Sequence, residues 1–165
     1  MQMFYYDDKI SILEKQGNFK ELLNYLEDQF PFSEQNFSTQ IAYSWYLYSQ
    51  GDFVNKQTSE DWEFYKGKWE EKLDFAINNY EKYQKICFMI AYTLEMNGMD
   101  IDDSLDYEFK IDKFYNLSRT SKDINFNILV DFILSNQKSK IKSNVLQELF
   151  PNDSLIDKYF LDVLS

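Results

Sequence analysis

Only four glycines and two prolines interrupt this chain of 165 residues. A β-sandwich or barrel needs a tight turn every few residues, and turns draw on those two residue types. A chain this poor in them, and rich in long side chains, is directed toward helices. The apolar spacing agrees. Phe19, Leu22, Leu23, Leu26 and Phe30 fall at i, i+3, i+4, i+7 and i+11, a single stripe on a helix that Pro31 is expected to stop.

Similar signals recur along the sequence. Ile10 and Leu13 belong to a short helix opened by Asp7 or Asp8 and closed by Gly17. Ser38 is expected to cap a helix over 39–50 that ends at Gly51, with Ile41, Ala42, Trp45 and Tyr48 facing a core. Thr58 followed by Asp61 approximates a capping box and opens a long helix. Trp62, Tyr65, Trp69, Leu73, Ala76, Ile77 and Tyr80 share one face of it, and Gly67 marks a point where it could kink or break. Tyr83, Ile86, Cys87, Ile90 and Leu94 define the next helix, ending at Gly98. The run Ile124–Leu134 has helical length, residues 137–142 carry three lysines and read as a loop, and Ser143 or Asn144 opens a short helix that ends near Pro151. Ser154 and Asp157 cap the last helix, whose apolar face is Ile156, Tyr159, Phe160, Val163 and Leu164.

Residues 105–111 alternate apolar and polar, which alone predicts a strand. An internal repeat argues otherwise. Residues 69–94 align without a gap on 107–132, at an offset of 38. Seven pairs are identical: Glu70/Glu108, Lys72/Lys110, Asp74/Asp112, Asn78/Asn116, Ile86/Ile124, Phe88/Phe126 and Ile90/Ile128. A third copy is visible upstream, where Ile41-Ala42-Tyr43 matches Ile90-Ala91-Tyr92 and each segment runs on to a glycine, Gly51 or Gly98. Self-similarity at this period is the mark of stacked helix pairs, each too small to bury its apolar face alone. The repeat therefore predicts that 107–117 is helical, like 69–79.

On these residues the chain resembles tetratricopeptide-like helical repeats over most of 8–134. That family's period of about 34 residues and its small-residue pattern are absent, and Trp45 followed by Gly51 is a loose match to its first helix. The resemblance implies an all-α fold, with antiparallel helix pairs stacked into a right-handed α/α array of about eight helices. The expected organisation is one domain over 1–165, with candidate repeats at 19–51, 69–98 and 107–136 and a C-terminal cap at 143–165. Folds of this kind bind proteins on a concave or edge surface.

The chemistry available is narrow. There is no histidine, which removes imidazole acid–base catalysis, His-assisted nucleophiles and the common zinc sites. The four glycines are too far apart for a phosphate-cradling loop. The single cysteine, Cys87, lies in the apolar run Ile86–Ile90, which fits a buried inert thiol rather than a nucleophile. Glu70, Glu71 and Asp74 crowd one helical turn, but interleaved Lys66, Lys68 and Lys72 make them a solvated face sooner than a catalytic pair. Asp100, Asp102, Ser104, Asp106 and Glu108 briefly imitate a calcium loop. Leu105 and Ile111 stand where that loop needs Gly and Glu, so it is rejected. No enzyme activity, cofactor or metal is expected.

Net charge is −11. Such a chain repels nucleic acid and anionic membranes and attracts basic partners. No apolar stretch is long enough to span a bilayer and no signal peptide is evident, so a cytoplasmic location is expected. The segment holding Asp100, Asp102, Asp103, Asp106 and Glu108 is either a solvated connection or an anionic docking patch. Among Tyr43, Trp45, Tyr46 and Tyr48, which cannot all face one way, Tyr46 and Tyr48 are the candidate interface anchors.

In size, acidity and lack of catalytic groups the chain resembles the immunity proteins of contact-dependent inhibition and related toxin systems. That resemblance implies a monomer that binds one cognate toxin domain, often a basic nuclease, in a one-to-one complex and blocks its active site. The alternative is a tetratricopeptide-like adaptor or secretion chaperone that holds a peptide or client protein.

Overall fold

The computed structural model describes residues 2–51, 56–101, 107–135 and 140–165. Among these there are nine α-helices and no strand. In chain order they are α1 (Asp8–Lys15), α2 (Phe19–Glu27), α3 (Glu34–Gln50), α4 (Ser59–Asn79), α5 (Gln84–Asn97), α6 (Tyr107–Ser118), α7 (Ile124–Leu134), α8 (Ser143–Leu149) and α9 (Leu155–Leu164).

Local chemistry sets several of the starts. Asp7 accepts from the backbone N–H of Ile10. Thr58 and Asp61 form both halves of a capping box. Asp123 accepts from Asn125 and Phe126, and Ser154 accepts from Asp157. Each satisfies N–H groups that a helix end leaves without intrahelical partners. Gly17 closes α1 at φ 67°, a left-handed conformation in which glycine has no steric penalty.

The core is built on α3 and α5. Every residue from Lys85 to Leu94 is buried, as is nearly all of 36–48. A helix covered on all sides must satisfy its polar groups internally. Ser44 donates to the Gln40 carbonyl at 2.8 Å and Thr93 to that of Met89 at 2.8 Å. Gln40 donates to Asn36 Oδ1 at 2.6 Å and to the Leu26 carbonyl at 3.3 Å, near the end of α2.

Consecutive helices contact one another in turn, and α3 also meets α5. The chain then returns on itself rather than running on as an open array. The Tyr159 ring on α9 packs edge-on against Trp45 (5.4 Å) and Tyr46 (5.6 Å) of α3. Phe160 lies 5.0 Å from Tyr92 of α5 and 5.4 Å from Phe4 of the N-terminal segment. Met3 donates to the Leu149 carbonyl at 2.8 Å, and the Lys85 ammonium donates to the Gln2 carbonyl at 2.7 Å. The first residues are thereby clasped between α5 and the C-terminal helices.

Three local expectations change. The third helix begins five residues before residue 39, capped by Ser33 through the Asn36 N–H at 3.1 Å, while Ser38 is buried inside it. The apolar stripe of α2 ends at Leu26. The helix stops at Glu27, and Phe30, held next to Pro31, is 95% exposed. Gly67 does not interrupt α4, which runs unbroken past it.

Residues 107–117 are helical, as the internal repeat requires. Asn78 and Asn116, an identical pair, make the same bond back to the carbonyl four residues earlier, at 2.8 and 2.9 Å. Phe88 and Phe126 are both fully buried and touch each other, with centroids 5.8 Å apart. Ile86 and Ile124 diverge, from 0% to 75% exposed, because α5 is central and α7 lies at an edge.

Candidate partner-binding site

Of the acidic residues expected to form a docking patch, Asp100 and Glu108 lie among the described residues. Asp100 ends a 3-10 turn, Gly98–Asp100, that follows α5. Its carboxylate accepts from the Tyr48 hydroxyl at 2.6 Å and from Asn97 Nδ2 at 3.2 Å. Asn97 Oδ1 in turn accepts from Trp45 Nε1 at 2.7 Å. These bonds tie the end of α5 to α3. Tyr48 is only 7% exposed and stacks on Trp69 at 5.6 Å. Burial and the Asp100 hydrogen bond both hold its hydroxyl protonated, well above the usual tyrosine range. Tyr48 is therefore a core residue. Tyr46 is half-buried against α9, turned away from Tyr48 because the two are separated by two positions on a helix. Glu108 is exposed on the first turn of α6. Asp102, Asp103 and Asp106 lie outside the described residues.

A different surface gathers the features of an interface. Where α2 passes into α3 and both lean on α4, five rings cluster. Phe32 lies 4.8 Å from Tyr80 and 5.0 Å from Tyr83. Phe37 lies 5.0 Å from Tyr80, and Phe75 lies 5.3 Å from Tyr80. Phe30 and Phe32 project from the connection, and Phe75, half exposed, projects from the solvent side of α4. An exposed group of large rings is the informative exception to burial, since scattered apolar surface is ordinary and a contiguous patch is not.

Two contiguous hollows, about 510 and 380 Å³, share Phe37, Glu71 and Lys72 in their walls. The charge in them is one-sided. Lys72 is nearly buried and is neutralised by Glu27, its ammonium donating at 2.9 Å. Lys68 reaches the same carboxylate at 3.1 Å. Burial raises the Glu27 pKa, but Lys72 and then Lys68 outweigh it and leave the carboxyl below the usual range. Glu71 and Asp74 are exposed beside the rings and have no ion pair among the described residues. The hollow thus presents an aromatic floor and a net negative rim.

A larger hollow, about 630 Å³, lies beside α7. Its Arg119 is already paired with Asp131 at 2.9 Å, and its wall at Ser135 and Lys140 adjoins residues outside the description. Cys87 is fully buried, its thiol donating to the Glu81 carbonyl at 3.3 Å, and burial pushes it up to about 12. No helix among the described residues is long and apolar enough to cross a membrane.

This surface is hidden in the sequence because the spacing of Phe30 continues the α2 stripe and the lysines around Glu71 and Asp74 give the pattern of an ordinary solvated face. The signal was there in Phe30-Pro31-Phe32, an apolar triplet at a helix break that no core face can use, and in Phe75, off the Trp69–Leu73–Ala76 stripe.

No family model, no curated protein and no solved structure matches this chain.

Proposed function

We propose that the protein works by binding another protein and neutralising it, as an immunity-type inhibitor of a basic toxin domain. The observation that supports this reading is the exposed aromatic cluster beside the carboxylates of Glu71 and Asp74, which have no ion pair among the described residues, on a chain of net charge −11. Aromatic anchors with an acidic field match a basic partner, and such a field speeds encounter. For a nuclease partner, carboxylates would stand in for the phosphates its substrate site recognises. Without histidine, and with its one thiol buried, the chain offers little for catalysis. On this reading it acts in the cytoplasm as a monomer that forms a one-to-one complex.

The test is co-expression with the product of the neighbouring gene, followed by affinity purification and a growth assay. A stable complex with a toxic domain, and growth restored, supports the reading. The absence of both complex and rescue refutes it. A second reading, a peptide-holding adaptor or secretion chaperone, draws on the two hollows being contiguous, which suits an extended client. Comparable micromolar binding of several unrelated client peptides would favour it.

A further inference from the structure

We propose that the hollow between the α2–α3 connection and α4 docks an extended, arginine- or lysine-bearing segment of the partner protein. This rests on the partner-binding reading and names the site and the chemistry of its occupant.

Lys72, the one lysine lining the hollow among the described residues, is already spent on Glu27, so it does not offset an incoming charge. Glu71 and Asp74 are one helical turn apart on α4 and face the same space. They can receive a guanidinium or two successive ammonium groups. Phe37 and Phe75 flank them, with ring centroids 6.3 Å apart, and present faces on which a cationic head or its alkyl stem can lie. The chain already makes this kind of contact with itself: the Lys20 ammonium sits 5.1 Å over the Phe64 ring, and that of Lys66 sits 5.6 Å over Trp62. An acidic segment would be repelled by the rim. A purely apolar one would leave the two carboxylates partly desolvated and unpaired, which is unfavourable.

The experiment uses the full chain labelled with nitrogen-15 and two capped peptides, one alternating arginine and leucine, the other glutamate and leucine. Titration of the first should move amide resonances around Phe37, Glu71 and Phe75, saturably and less strongly at high salt, and the second should not. Glu71→Lys with Asp74→Lys should weaken the first peptide by about tenfold or more. Both side chains are exposed and have no ion pair among the described residues, so the fold should persist, as the unperturbed resonances of α5 would verify. Phe75→Ala should weaken it several-fold without reversing charge. Equal binding of both peptides, no saturable binding, shifts centred elsewhere, or an undiminished affinity in both variants would overturn the assignment. Capture of the co-expressed partner decides the broader reading separately. A partner held equally by wild type and the double variant refutes the docking site alone, and a partner held by neither refutes the inhibitor reading.

Discussion

Asp157 offers a quantitative test of the packing. It lies three residues after the Ser154 cap of α9 and is fully buried. One carboxylate oxygen accepts from the Asn152 N–H at 2.7 Å, and the other, Oδ1, is buried with no hydrogen-bond partner among the described residues. Burial outweighs the hydrogen bonds from Asn152 and Ser154 and pushes the carboxyl from 3.8 up to about 6. A folded state that holds the proton more tightly than the unfolded chain is favoured at low pH. That advantage is complete below pH 3.8 and disappears as pH rises through 6. Relative to the protonated form, the charged group costs about 3 kcal/mol at pH 7 and less than about 1 kcal/mol at pH 4. Asp157→Asn removes the titration and keeps an oxygen for Asn152. Whatever fixed packing difference the amide introduces is the same at both pH values. The stability of the variant minus that of wild type should therefore increase by about 2 kcal/mol between pH 4 and pH 7. Urea unfolding followed by tryptophan fluorescence at several pH values measures this directly. A difference that stays flat across the range would show that Asp157 is not held in a charge-hostile site.

Gly67→Ala should stabilise the protein by about 0.5–1 kcal/mol in thermal or urea unfolding, because the glycine is mid-helix and an added Cβ would meet nothing within 4 Å. Glu27→Gln should destabilise by about 1–3 kcal/mol, measured the same way, since it leaves the nearly buried Lys72 ammonium without its counter-charge. Tyr48→Phe should lower stability by about 1 kcal/mol by removing the donor to Asp100. It should leave partner affinity unchanged by calorimetry, and a large loss of affinity without loss of stability would return Tyr48 to the interface.

The helices were legible wherever a cap and a stripe agreed, as at Thr58 and Asp61 with Trp69 and Leu73, or at Ser154 with Ile156 and Phe160. Residues 105–111 carry a strand-like pattern, and where they are described, from 107, they are helical as the repeat predicts, because pairwise identity with a helix carries more information than seven alternating residues. Ser38 has the chemistry of a cap, but α3, central in the fold, buries small hydroxyls along its length. The acidic residues near Asp100 were visible as composition, but sequence does not reveal that Tyr48 and Asn97 already occupy that carboxylate. The aromatic hollow joins residues some forty positions apart, Phe32 and Phe37 with Phe75 and Tyr80, and no local pattern links them.

Cys87, sealed in the first turn of α5, has a use that none of its contacts implies. A thiol reagent can reach it only when the helix is uncovered, and the chain has no second cysteine to confuse the signal. For a domain of ordinary stability such openings slow modification by about four orders of magnitude or more. The unaltered protein therefore carries its own clock for excursions of the central layer. Mass spectrometry of the modified fraction over time would read that clock, and a ligand that binds the closed form would slow it in proportion to its occupancy.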